Sequence, residues 1–428
     1  MKQYDITKLT KEEIQDLCQR PKMDFISIFS EVEPIIDKVR QKGDSGVSYY
    51  TKKFDGASPD TITVNPADLS INLTSSTRNA IDTAFENIQR FHKGQLPQPL
   101  EVETMPGVKC QRVSRPIEKV GLYVPGGTAI LPSTLMMLGI PAKLAGCKTI
   151  VTATPPHKDG SIADEIIYIA QKIGITKILK AGGAQAIAAM AYGTNTVPKV
   201  DKILGPGNQY VTAAKMMLQN SEAQIAIDMP AGPSEVLVIA DETANPEFVA
   251  ADLLSQAEHG PDSQVVLVAT KDFDLGACST ALEEQLMRLP RKDVAQEAIN
   301  KSFTLIVNNL EQAFDFSNQY APEHLIVQCE DAEQWQNSIY NAGSVFFGQW
   351  TPESAGDYAS GTNHTLPTYG YARMFSGVSV DSFLKQITMQ TISREGLQNI
   401  GPTIEKLASL EELEAHRRAV SIRLNNLK

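Results

Sequence analysis

The sequence has no CxxC pair, no GxGxxG turn and no apolar run near the roughly 20 residues that a membrane-spanning helix needs. Its five cysteines, Cys18, Cys110, Cys147, Cys278 and Cys329, are scattered and odd in number. That pattern argues against a disulfide framework and a thiolate zinc site, so any metal needs nitrogen and oxygen ligands. Lys and Arg are in deficit, 39 against 50 Asp and Glu, giving a formal net charge of −11. A surface that tracks nucleic-acid phosphates requires the opposite balance, which leaves a small molecule as the expected partner. The opening stretch MKQYDITKLTKEEIQDL is too charged for a secretory signal, and the expectation is a cytoplasmic protein with no membrane and no nucleic-acid role.

What is present is enough apolar material for sizeable cores: 428 residues, 42% hydrophobic. At about 100–200 residues per domain this allows two to four domains. From Lys119, short β-branched runs (KVGLYV, KTIVTA, KILKAG, VDKILG) alternate with helical stretches. A second series begins at Glu235 with EVLVIAD and continues through QVVLVAT, FTLIVNN, LIVQC and SVFFG. The alternation predicts βαβ units and two α/β domains with parallel sheets. The segment before Lys119 reads as mainly helical, in FSEVEPIIDKVRQKG and STRNAIDTAFENIQRFHKG. The expected division is a helical tail over 1–25, a first α/β domain from 26–119 with 235–375, a second over 120–234, and a helical tail over 376–428. DSFLKQITMQTIS and SLEELEAHRRAVSIRL read as helices too short for a core of their own, so this tail must dock on its own body or on a partner chain. No repeat of fixed period is visible.

Six histidines occur, and each is judged by its neighbours. Gln256 and His259, in LLSQAEHGP, are spaced i, i+3 at the end of a predicted helix and can share a metal; the same spacing is common on solvated faces. Glu323 and His324, in APEHLIV, stand where a helix gives way to a strand. Together they can move protons near neutral pH, or be a helix-terminal His beside an exposed Glu. Asp357 and His364 lie in a Gly-, Ser- and Thr-rich stretch read as a long functional loop, with Asp357 a candidate hard ligand and His364 an orienter or loop hydrogen-bonder. Glu411 and His416, read on one terminal helix, would point about 140° apart, as on a charged solvated face. Glycine-rich turns in YVPGGTA, KAGGAQA and LGPGNQY follow predicted strands, the usual place for a phosphorylated cofactor. Cys147 ends an apolar helix and reads as a structural thiol rather than an aldehyde-capturing nucleophile.

Over essentially the whole chain these segments resemble the histidinol dehydrogenases: GLYVPGGTAILPSTLMM, GGAQAIAAMAYGT, VDKILGPGNQYVTAAK, IDMPAGPSEVLVIAD, ADLLSQAEHGPDSQV, APEHLI, SAGDYASGTNHTLPTYGYAR and LEAHRRAVSIR. The resemblance implies two incomplete Rossmann-like α/β domains with helical tails docked on the partner subunit of a homodimer. It implies one zinc ion held by Gln256, His259, Asp357 and His416, a proton-transfer pair Glu323 and His324, and NAD contacts at Tyr123, Gln185 and Asn208. The substrate contacts it implies are Ser234, Gln256, His259, His324, Asp357, Glu411 and His416. The activity implied is oxidation of L-histidinol through bound L-histidinal to L-histidine, in two NAD-dependent steps. The competing classes are a zinc hydrolase using Glu323 as base and a non-catalytic bilobal binding protein. A failure to form NADH with histidinol would revive the hydrolase.

Overall fold

The computed structural model describes residues 1–20, 25–126, 131–229 and 232–427. Its strands, in chain order, are β1 Lys2–Asp5, β2 Thr63–Val64, β3 Leu100–Met105, β4 Val108–Pro116, β5 Lys119–Tyr123, β6 Thr149–Thr154, β7 Lys177–Lys180 and β8 Lys202–Leu204. They continue with β9 Ala226–Ile227, β10 Glu235–Ala240, β11 Gln264–Thr270, β12 Phe303–Val307, β13 His324–Gln328, β14 Ser344–Phe347 and β15 Leu384–Ile392. The fold is mixed α/β. Sheet I has the order β1-β12-β11-β10-β13-β14 and is parallel throughout. Sheet II has the order β2-β7-β6-β5-β8-β9, parallel except at β2. Both central strands are sandwiched, so they read as continuous apolar runs: every residue of EVLVIA in β10 is buried.

The two sheets repeat one plan. A first strand (β5, β10) has the next two on one side and the following two on the other, and a sixth strand from a distant part of the chain closes the far edge. No fixed period marks this in the sequence, because the connections differ in length.

Three expectations about the termini and domain limits are overturned. The start is not helical throughout and does not stand apart as a tail: β1 pairs with β12 ahead of the expected helix, Lys11–Leu17, and Leu9, Ile14, Leu17 and Cys18 pack on sheet I of the same chain. The helices Phe25–Lys42 and Ser75–Lys93 cover the two faces of sheet II rather than joining residues 235–375. Helical spacing reveals which face is apolar, not which sheet it meets. The C-terminal segment is not all helical, since ITMQTI, rich in β-branched residues, forms β15 and pairs with β4 along nine positions. With β3 it makes a three-stranded ribbon that carries the helices Arg394–Leu410 and Glu414–Asn425. This arm is thinly packed, and it exposes Leu100, Val102, Ile387, Met389, Leu407, Leu410 and Ile422.

At the carboxyl edge of sheet II the turn after β8 is fixed by a buried ion pair. Gly205 has φ +130, and a Cβ there would stand 2.1 Å from the Tyr123 carbonyl oxygen. Its N–H donates to Asp228 Oδ2 at 2.6 Å, and its carbonyl accepts from Lys215 Nζ at 2.9 Å. Lys215 and Asp228 pair with each other, 3% and 4% exposed. Asp228→Leu strands the ammonium in the core and is expected to cost about 3–5 kcal/mol in denaturant unfolding. Adding Lys215→Met should recover part of that loss, the remainder reflecting the unpartnered Gly205 peptide; additive losses would contradict this reading.

Candidate active site

The cleft that gathers the chemistry has a volume of about 420 Å³ and lies between opposite edges of the two sheets. Pro206, Gly207 and Asn208 come from the carboxyl edge of sheet II, while Ser234, Glu323 and His324 come from the amino edge of sheet I. Gln256 and His259 close it from the end of the helix Pro246–Ala257, and Asp357 and His364 from the opposite wall. A larger crevice of about 690 Å³ opens at the carboxyl edge of sheet I. It is lined by Glu330, Asp331 and Glu333 and by no histidine, so the smaller cleft is the site.

The helix Leu310–Tyr320 ends at Ala321, which takes the left-handed conformation with φ 53. Pro322 then bars further helix and delivers Glu323 and His324 at the start of β13. Glu323 is 6% exposed, and its Oε2 accepts the Glu235 N–H at 2.8 Å. Burial pushes its pKa up to about 8 against the opposing pull of His324. His324 Nδ1 is 3.1 Å from the Glu235 carbonyl oxygen and 2.7 Å from Gln256 Nε2; Nε2 is 3.5 Å from Asp357 Oδ1. Burial favours the neutral ring, but the charge of Glu323, with Asp357 and Glu353, outweighs it and raises the pKa to about 10.

Gln256 is 1% exposed. Its Nε2 donates to Glu353 Oε1 at 3.2 Å, whereas its Oε1 is buried without a hydrogen-bond partner. An orphaned buried acceptor beside carboxylates is a donor set suited to a cation. His259 stands at the rim, where desolvation lowers its pKa and keeps the imidazole neutral, as a ligand requires. Burial works to raise the Asp357 pKa, but the contact with His324 prevails and holds the carboxyl well below the usual range. Ligand atoms of His259, Glu353 and Asp357 all lie within 4.8 Å of one another.

Glu353 was not singled out in the sequence. It is 1% exposed, accepts from Ser255 Oγ, and burial pushes its pKa up to about 7. The segment expected to be a long loop in fact begins with a short helix, Glu353–Tyr358, in which Glu353 and Asp357 are i, i+4 on one face. That spacing was in the sequence, but it carries meaning only once the segment is helical. His364 also lines the cleft: Nδ1 is 2.9 Å from the Asp357 carbonyl oxygen and Nε2 is 3.3 Å from Thr134 Oγ1.

Tyr123 and Gln185 sit together at the carboxyl edge of sheet II, where the Tyr123 hydroxyl accepts the Gly183 N–H at 3.0 Å. Gln185 is 1% exposed with neither amide atom partnered. Asn208 lines the cleft and caps the helix Gln209–Gln219 through Oδ1, 3.1 Å from the N–H groups of Tyr210 and Val211. Part of the YVPGGTA turn, residues 127–129, lies outside the described residues. Glu411 and His416 are not among the residues that line this chain's cleft. They lie on the arm, on either side of a break at Glu412 (φ 58), rather than on one helix as expected. Burial pushes the Cys147 thiol up to about 12, in keeping with a structural role.

The sequence profile of a family described as histidinol dehydrogenase matches residues 18–424. A chloroplastic histidinol dehydrogenase of Oryza sativa is 59% identical, the match covering 100% of this chain and 91% of the relative. A histidinol dehydrogenase of Vibrio parahaemolyticus is 52% identical, over 98% of this chain and 97% of the relative. Among solved structures, the histidinol dehydrogenase of Elizabethkingia anophelis superimposes with a TM-score of 0.95 at 51% identity, covering 100% of this chain and 98% of that one.

Proposed function

The chain belongs to the histidinol dehydrogenase family, and from that premise we propose that it oxidises L-histidinol, through bound L-histidinal, to L-histidine in two NAD-dependent steps, as a cytoplasmic zinc enzyme and homodimer. The observation that carries this reading is the convergence of Glu323, His324 and the orphaned Gln256 Oε1 on one cleft beside His259 and Asp357. A zinc hydrolase or a binding protein is not favoured by the family membership. Among the described residues no helix is long and apolar enough to cross a membrane.

Gln256, His259 and Asp357, with His416 from a partner's arm, would hold zinc, a borderline ion suited to nitrogen and oxygen donors. When bound it supplies Lewis acidity and a template that orients the substrate's nitrogen donors. NAD supplies the hydride acceptor; its cradle would be Tyr123, Asn208 and Gln185, whose buried amide has both atoms free. Asn208 lines the same cleft as His324, so a nicotinamide held there would share one space with the proton-transfer pair.

In the first oxidation, His324 takes the alcohol proton at Nε2, the ring nitrogen without a hydrogen bond, as hydride leaves carbon. That requires a neutral ring, so the Asp357 carboxylate must be committed elsewhere than to His324. In the second, Glu323 removes a proton from water as it adds to the aldehyde, and its raised pKa suits a base working near neutrality. His324 then accepts the hydrate's proton. Ser234 and Asp357 line the cleft where the reacting end of the substrate must sit, and Glu411 would reach its ammonium from the arm. Enclosure of the aldehyde between the two steps keeps it from solvent amines.

Glu323→Gln keeps an acceptor for the Glu235 N–H but cannot remove a proton. Histidinal oxidation should therefore fall by about 10²–10⁴-fold, with a far smaller loss for the first hydride transfer measured by NADH absorbance. Equal losses in both half-reactions would contradict the division of labour. The shared site has its own test in a mixed dimer of His259→Ala and His416→Ala chains, isolated by two tags. One of its two sites is intact, so activity should return to about half that of the unsubstituted dimer. No recovery above the parent variants would show that each tail serves its own chain.

A further inference from the structure

At the amino edge of sheet I a single residue holds both members of the proton-transfer pair by its main chain. The Glu235 N–H donates to Glu323 Oε2 at 2.8 Å, and its carbonyl oxygen stands 3.1 Å from His324 Nδ1. The position of these two groups is therefore set by whatever fixes Glu235 itself. Its side chain points the other way, into a buried clamp. Arg20 Nε donates to Oε1 at 2.9 Å and Nη2 to Oε2 at 2.8 Å, and the Tyr369 N–H adds a third bond to Oε1 at 3.0 Å. The two side chains are 5% and 1% exposed.

Arg20 is tied in turn. Nη1 donates to the Cys18 carbonyl at 2.7 Å, and the guanidinium lies 3.4 Å from the ring centroid of Tyr320. Tyr320 is fully buried, donates to Gln264 Oε1 at 2.8 Å, and ends the helix that leads to Glu323. Arg20 thus joins the N-terminal segment, the start of β10 and the turn that delivers the proton-transfer pair.

We propose that Arg20 and Glu235 are positioning residues for catalysis, a buried fork that locks the Glu235 peptide groups against Glu323 and His324. The inference rests on reading those two residues as the proton-transfer pair. An ion pair this deeply buried loses much of its attraction to desolvation, and an apolar pair would fill the space as well. What the bidentate fork adds is direction, because guanidinium and carboxylate meet in one plane and one register. Direction is what a general base needs, since a displacement of about 1 Å can cost on the order of 100-fold in rate.

Removing one partner alone leaves a buried charge, so the test uses Arg20→Lys, which keeps the charge but not the fork, and the neutral pair Arg20→Gln with Glu235→Gln. Both are assayed as full-length, zinc-loaded enzyme, with Glu323→Gln and His324→Asn in parallel. The expected result is a kcat lowered by about tenfold or more at a histidinol KM within about threefold, with zinc content per chain unchanged. An unchanged kcat in folded protein overturns the proposal. So does a loss of zinc, a KM that rises in step with the fall in kcat, or failure of both variants to fold, each of which assigns the clamp to general architecture. Full activity in Glu323→Gln and His324→Asn would instead strike the reading on which the proposal rests, so the two failures are distinguishable.

Discussion

Three carboxylates and an imidazole crowd one buried cleft, and the need to compensate that negative charge governs the site. Glu323, Glu353 and Asp357 surround His324, and every one of these groups is displaced from its ordinary pKa. With no cation to compensate them, the carboxylates draw His324 toward its protonated form. Such an arrangement blocks base catalysis, because the ring that should take a proton already holds one. A cation held by Asp357, His259 and the unpartnered Gln256 Oε1 would satisfy the same charge while releasing the ring. On this account the metal and the base are one electrostatic design rather than two neighbouring features.

The fold supplies the crowding through an unusual use of two similar sheets. Open α/β sheets bind ligands outside the carboxyl ends of their strands, and sheet II presents that edge to the cleft through Pro206, Gly207 and Asn208. Sheet I contributes its amino edge instead, where His324 begins β13 and Glu235 begins β10. Its carboxyl edge carries Glu330, Asp331 and Glu333, a lining that repels phosphate. Facing one sheet's carboxyl edge with the other's amino edge sets the proposed cofactor cradle against the proposed proton-transfer pair.

The βαβ alternation and the central strands were legible from local pattern, whereas Gln256, His259, Glu323 and His324 were weak signals by spacing that the family resemblance singled out, and the structure brings all four to one cleft. Glu353 was not legible, since ESAGDY carries too many weak helix formers to read as a helix, and without helix the i, i+4 relation to Asp357 vanishes. The strand Leu384–Ile392 was missed because its sheet partner lies some 270 residues earlier in the chain at Val108–Pro116, and no local signal encodes a distant partner. The docking of Phe25–Lys42 on sheet II failed for the same reason. Arg20 and Glu235 were invisible as a pair, being 215 positions apart. Local patterns specify elements; long-range pairing specifies where the chemistry meets.

The account turns on the cleft being a cation site, and calorimetric titration of metal-free protein with Zn²⁺, followed in parallel by NADH formation from histidinol, tests it most directly. One ion per chain with activity rising in proportion is the expected result, and Asp357→Asn should weaken binding by about tenfold or more. Full turnover in demonstrably metal-free protein, or tight binding undiminished in Asp357→Asn, would contradict it.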